Sequence, residues 1–179
     1  CKVIFLGDGN VGKSSLIDRI IGGSFQINRS VTNGISIRKW QTVIDGKEVR
    51  VRFWDFGGPE IMHTMHLCFL TARTAYVIVL DSRQDQYLEK LAIDWLQTVK
   101  TFAPNSPVIL ALNKCDMNPM AMLNLASLKE SFPQLVDCVR TSAFDGTNID
   151  SLKKLIAYSI KNHSSYSVIF NKKCLRLKE

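Results

Sequence analysis

The octet GDGNVGKS at residues 7–14 closes a strand-like apolar run, KVIFLG (2–7), and opens a helix-like one over 13–22. A strand that passes through G-x-x-x-x-G-K-[ST] into a helix builds a loop for phosphate. Glycines at 7 and 12 let the backbone wrap tightly, so that successive N–H groups and a helix N-terminus converge on an anion. Lys13 then reaches the terminal phosphates, and Ser14 places a hydroxyl on magnesium. Such a loop sits at the end of a strand in an α/β sheet, and the rest of the chain follows that plan.

Short apolar runs alternate with longer segments of helical period, the pattern of a largely parallel sheet wrapped by helices. Strands are expected at 2–7, 35–44, 49–56, 75–81, 108–113 and 138–143, giving a six-stranded α/β sheet. Asp45, Gly46 and Lys47 separate the second and third, and Asp-Gly favours a hairpin, so this edge strand should be antiparallel. Helical crossovers are expected at 13–22, about 86–102, 120–131 and 149–160. The polar stretch GSFQINRSVTNG (23–34) has no sustained period and is expected to be a mobile loop.

With 179 residues, 46% hydrophobic and 22% charged, the chain has the balance of one globular domain. Its longest apolar runs, 75–80 and 108–112, fall far short of the roughly 18 residues that cross a bilayer. The first residues enter a strand with no signal-peptide pattern, an abrupt start expected of a piece of a longer chain. Five cysteines, Cys1, Cys68, Cys115, Cys138 and Cys174, include no C-x-x-C pair, so free thiols in a reducing cytoplasm are expected. Of the net charge of +7, residues 161–179 carry +4. The remaining +3 on the body is too weak for a nucleic-acid footprint.

Three further motifs lie at strand ends. Asp55 closes the third strand and Gly58 follows three residues on, an arrangement suited to magnesium and a γ-phosphate when it lies beside a phosphate loop. NKCD (113–116) follows another apolar strand, and Asp116 can accept hydrogen bonds from N1–H and the exocyclic amine of guanine. TSA (141–143) ends the last strand, where the Ala143 amide can meet the guanine O6. Thr32, in the polar loop, would order that loop by reaching magnesium beside a γ-phosphate and release it when the phosphate leaves. The alternative is that Ser30, Thr32 and Asn33 are ordinary loop residues. His63 and His66 stand three residues apart, a spacing that would put both on one face of a helix, but with no third ligand in view they are expected at the surface or in packing.

In this order the elements resemble the Ras-like P-loop GTPase superfamily across residues 1–160. The wording WDFGGPEIMHTMHLCFLT followed by YVIVLDSR is similar to its Roc (Ras of complex proteins) branch, the GTPase module of Roco proteins. The resemblance implies a switch that binds GTP and GDP with Mg2+. Gly9, Asn10, Val11, Gly12, Lys13, Ser14 and Ser15 would hold the phosphates; Ser14, Thr32 and Asp55 would serve the metal. Asn113, Lys114, Asp116, Ser142 and Ala143 would hold guanine, while Lys13, Thr32 and Gly58 would act on the γ-phosphate. It also implies a COR domain after the basic extension 161–179, leucine-rich repeats or a kinase in the same chain, and a homodimer.

The chain departs from the pattern at Pro59, where similar GTPases commonly carry the glutamine that orients the attacking water. Proline has no donor and restricts the residue before it. Slow hydrolysis is therefore expected, or, as the alternative, a nucleotide-gated scaffold with little turnover. Arg73 and Arg83 are candidates for a catalytic arginine offered across a dimer, and Glu60 or His63 for help in cis.

Overall fold

The computed structural model describes residues 1–26, 32, 34–57 and 69–162. Its strands are β1 (Lys2–Leu6), β2 (Ile35–Ile44), β3 (Lys47–Phe56), β4 (Ala75–Asp81), β5 (Val108–Asn113) and β6 (Leu135–Arg140). Its helices are α1 (Lys13–Ile20), α2 (Leu88–Phe102), α3 (Leu125–Ser131) and α4 (Ile149–Asn162). They form one six-stranded sheet in the order β2-β3-β1-β4-β5-β6, parallel throughout except for the antiparallel pair β2–β3.

The β2–β3 hairpin closes on Asp45 and Gly46, both with positive φ (50° and 73°), which suits the right-handed twist of the two strands. Lys47 joins β3, so the turn is one residue tighter than the sequence suggested.

β4 and β5 are buried along their whole length, which explains their uninterrupted apolar runs. On one sheet face Val3, Phe5, Phe53 and Val77 pack beneath α1 and α4, through Leu16, Ile17, Leu152 and Ile156. On the other, Ile4, Leu6, Tyr76 and Ile78 meet α2 and α3, through Leu88, Leu96, Val99 and Leu128. The spacing of those helical residues places each set on one stripe facing the sheet.

Several further elements differ from the sequence reading at their ends. β6 begins at Leu135 rather than 138, because Asp137 interrupts the apolar run yet still pairs in the sheet, its carboxylate accepting from the Cys138 amide at 3.0 Å. α3 starts at Leu125 rather than 120. The Asn124 side chain caps it by accepting from the Ser127 amide at 3.2 Å, which sets the helix start. Helix α4 runs two residues past the expected boundary at 160.

Phe53 is fully buried, edge-on to Phe5 at 5.5 Å and stacked on Trp40 at 5.4 Å. Phe53→Ala should therefore cost about 3–5 kcal/mol, read as a lower urea midpoint at unchanged slope. A loss under about 1 kcal/mol would mean that this face of the sheet is not packed as described.

Candidate functional site

The loops after β1, β3, β5 and β6 leave the same edge of the sheet, since these four strands run parallel. Open α/β sheets bind ligands at that edge. The loop after β1 needs its glycines. Gly7 has φ 133°, and a Cβ there would strike the Val79 carbonyl; Gly12 has φ 97°, and a Cβ there would strike the Asn113 side chain.

Gly12 caps α1 without any side-chain bond, and no acidic residue occupies the first helical turn. The first-turn amides and the helix dipole therefore favour an anion. Two consecutive peptide units of the loop are fixed from β5: Asn113 Nδ2 donates to the Val11 carbonyl at 2.8 Å, and Lys114 Nζ to the Asn10 carbonyl at 2.7 Å. Gly9 and Ser15 lie within the same turn of chain, Ser15 lining the adjoining cavity.

Lys13 is 7% exposed and folds back over the loop, its Nζ donating to the carbonyls of Gly7 and Asp8, each at 2.8 Å. Burial lowers its pKa, and the charges of Asp55 and Asp8 oppose that shift. Asp55 is fully buried near the end of β3, and among the described residues neither carboxylate oxygen has a hydrogen-bond partner within ordinary geometry, the Ser14 hydroxyl acting on it only weakly. Burial pushes its pKa up, against the pull of the Ser14 hydroxyl, Lys13 and Arg38.

Ser14 Oγ and Thr32 Oγ1 lie 2.9 Å apart, so the structure brings together two of the three expected metal-site residues from different elements. The Thr32 backbone lies so close to Gly57 that a Cβ on Gly57 would overlap its carbonyl, and the Gly57 amide donates to Gly34 at 2.9 Å. Gly57 was missed in the sequence, although the doublet Gly57-Gly58 after Asp55 was its signal. Gly58, Pro59, Glu60, His63 and His66 lie outside the described residues, as does the extension from 163 onward.

Among the described residues no three His, Cys, Asp or Glu side chains converge. A cation here would rest on one carboxylate, hydroxyls, water and a ligand's own oxygens. That all-oxygen donor set suits Mg2+, and the partnerless Asp55 fits it.

Beside the loop is a cavity of about 350 Å³, bounded by Gly12, Lys114, Asp116, Phe25 and Phe144. Asp116 is exposed at its rim. Asn113 braces the wall, its Oδ1 accepting from the Ala143 amide at 3.1 Å, so the amide expected to meet a ligand is here engaged by Asn113. Ser142 is fully buried and accepts from the Asp145 amide at 3.2 Å, holding the turn after β6. Phe25 and Phe144 meet edge to face, 5.5 Å apart, and Phe144 is 59% exposed. Neither aromatic stood out in the sequence, since each lies in a polar loop.

Asp81, at the end of β4, was missed too. It accepts from Lys114 Nζ at 2.8 Å and chelates Arg83 through both carboxylate oxygens. Burial raises its pKa, but these donors prevail and bring it down to about 2. The Arg83 guanidinium is thus paired with Asp81 through Nε and Nη2, while its side chain stays 43% exposed and lines the cavity. Arg73 precedes β4 at the opposite end of the sheet, roughly 20 Å from the loops at the usual rise per strand residue. It can reach such a site only from another copy.

The chain matches a family model described as "Ras of Complex, Roc, domain of DAPkinase" over residues 2–116. It is similar to the Methanosarcina barkeri Roco2 RocCORdC structure bound to GDP, with 42% identity and a TM-score of 0.81. That likeness covers 90% of this chain and 50% of the solved one, so the chain spans half the length of that relative. It is 32% identical to mouse Rab-like protein 2A, over 88% of this chain and 71% of the relative. Arabidopsis Ras-related protein RABA5b is 27% identical over 94% of this chain and 78% of its own length.

Because the folded chain raises the Asp55 pKa, the folded state binds that proton more tightly than the unfolded state does. Metal-free stability should fall as pH rises from the ordinary carboxylate range through the raised folded value. Asp55→Asn should remove this dependence and, in EDTA without nucleotide at about pH 7, stabilise the chain by about 1–3 kcal/mol in urea unfolding. A metal-free variant less stable than the parent would show that Asp55 has a partner inside the protein.

Proposed function

From the premise that this chain belongs to the Roc family of the Ras-like superfamily, we propose that it is a guanine-nucleotide switch that binds GTP and GDP with Mg2+ and hydrolyses GTP slowly. The observation that carries this reading is the partnerless buried Asp55, next to a buried lysine and a pair of hydroxyls, at the mouth of a helix-capping loop. A GDP-bound Roco2 structure of similar fold supports the choice of nucleotide.

On this reading Lys13 exchanges two carbonyl oxygens for phosphate oxygens, and the amides of residues 9–15 take the remaining phosphate contacts. Ser14, Thr32 and Asp55 hold the cation, directly or through water. Bound there, Mg2+ would supply positive charge against the charge that develops on the phosphate. Thr32 joins only when a γ-phosphate is present, so its loop reports the nucleotide state. Asp116 reads the base: its two acceptors match the N1–H and amine of guanine, whereas adenine presents an acceptor at N1. Lys114, locked to Asp81 and the Asn10 carbonyl, forms one wall for the base, and Ala143 with Ser142 forms the far end.

Hydrolysis is the weaker half of this chemistry. Lys13, Thr32 and Gly58 act on the γ-phosphate, but Pro59 has no amide side chain with which to orient water. Arg83 is paired with Asp81 here, and a catalytic arginine, Arg73 or Arg83, would be offered across a dimer. The same proline favours a second reading, a nucleotide-gated scaffold in which GTP is held and scarcely turned over. On either reading the domain works in the cytoplasm as one module of a Roco protein, regulating a COR domain and neighbouring repeats or kinase, with a homodimer as the working unit.

The reading predicts that GTP and GDP displace a fluorescent guanine nucleotide while ATP does not, and that Asp116→Ala narrows this preference at least about tenfold. Equal displacement by ATP and GTP would overturn the assignment of the base site. In single-turnover assays the parent chain should hydrolyse GTP slowly, and Pro59→Gln should raise the rate by up to roughly the hundredfold range of a single positioning group. Fast hydrolysis by the parent, unchanged in the variant, would show that Pro59 is not the limiting defect.

A further inference from the structure

Met117, Met120 and Met122 crowd into the run DMNPMAML (116–123) that follows β5. All three are exposed, by 62%, 79% and 72%, whereas Ala121 between the last two is fully buried in the core beneath α2 and α3. The backbone that carries them is itself pinned. The Met117 amide donates to the Lys114 carbonyl at 3.0 Å, Asn118 Nδ2 to the Ser82 carbonyl at 2.9 Å, and the Met120 amide to Asn118 Oδ1 at 3.3 Å. Three thioethers are thus held at the surface by a fixed turn.

Met117 differs from the other two. It follows Asp116 directly and lines the cavity beside the phosphate loop together with Phe25 and Phe144, whereas neither Met120 nor Met122 borders it. A thioether is a soft, uncharged nucleophile, so an exposed one reacts with peroxide without first losing a proton. A thiol must lose one. Cys115 is buried and burial pushes its pKa up, and burial pushes that of Cys138 up to about 12. Both thiols stay protonated at neutral pH, which leaves the methionines as the readier reductants of this region.

We propose that Met117 is an oxidative modification site, converted to its sulfoxide by hydrogen peroxide while the cavity is empty, and that the sulfoxide weakens nucleotide binding there; this rests on the reading of the cavity as the base site. The sulfur lone pair attacks one peroxide oxygen, an S–O bond forms, the O–O bond breaks, and the departing hydroxide takes the proton of the transferred oxygen to leave as water. Sulfur gives up two electrons and the peroxide gains them. The product carries a polar, negatively polarised oxygen where an apolar side chain stood, beside the Asp116 carboxylate that would face guanine. It also forfeits the favourable contact of a thioether with an aromatic ring. A base already in the cavity would cover the sulfur, so occupancy and oxidation oppose each other. Met120 and Met122, outside the cavity, oxidise in either state and serve as the reference.

The test strips the 179-residue chain of nucleotide with EDTA, or loads it with GDP and Mg2+, treats both samples with hydrogen peroxide and maps the added oxygen by mass spectrometry of digests. Met120 and Met122 should oxidise at the same rate in both samples, and Met117 more slowly in the loaded one. Once peroxide is removed, the stripped chain, its circular dichroism spectrum unchanged, should bind a fluorescent GDP about two- to tenfold more weakly, the range of a lost sulfur–aromatic contact. Methionine sulfoxide reductases with dithiothreitol should restore the affinity where dithiothreitol alone does not. Met117→Leu, compared with its own untreated sample, should lose no affinity, while Met120→Leu/Met122→Leu should lose as much as the parent. The proposal is overturned if the untreated chain binds fluorescent GDP and yet Met117 oxidises equally fast in both samples, or if peroxide weakens Met117→Leu as much as the parent. An untreated chain that binds no guanine nucleotide overturns the base-site reading first, and the proposal with it.

Discussion

Burying Asp55 without a hydrogen-bond partner is costly unless something else satisfies its charge. Lys13 supplies part of that charge but spends its own donors on the carbonyls of Gly7 and Asp8. The phosphate loop is thus held shut by its own lysine, while the carboxylate that would complement a cation waits behind it. On the proposed reading an entering phosphate with its cation would satisfy both groups at once, and a ligand bound only to the folded state would add to its stability. The surrounding structure serves that requirement: β1 delivers the loop, β3 delivers Asp55, and Thr32, seated against Gly57, brings a second hydroxyl to Ser14.

The base cavity is organised from one strand end. Asn113 and Lys114 spend their side chains on the phosphate loop, on Ala143 and on Asp81, and so join the loops after β1, β4, β5 and β6 into one rigid frame. Asp116 is left exposed at the rim of that frame. Asp81 has a pKa of about 2 and so keeps its charge at any physiological pH, leaving Lys114 fixed in place. The same carboxylate pairs with Arg83, whose side chain stays 43% exposed beside the cavity.

Much of this was legible in the sequence because the governing rules are local. The octet 7–14, the Asp-Gly hairpin and the apolar runs of β4 and β5 each declare their structure within a few residues. β2, β4 and β5 match their expected bounds, whereas β6 was displaced by three residues because its paired Asp137 looks like a break. The missed site residues, Gly57, Asp81, Phe25 and Phe144, depend on what lies across from them in space: Gly57 on the Thr32 carbonyl, Asp81 on Lys114, and the two rings on each other.

The most direct measurement is a crystal structure of the chain with Mg2+ and a non-hydrolysable GTP analogue. The account predicts that Lys13 Nζ leaves the Gly7 and Asp8 carbonyls for phosphate oxygens. Asp55 then joins the coordination shell of the cation, directly or through water, and Asp116 accepts from the guanine edge. An analogue bound elsewhere, or bound in the cleft while Lys13 keeps its two carbonyls and Asp55 stays without a partner, would contradict it.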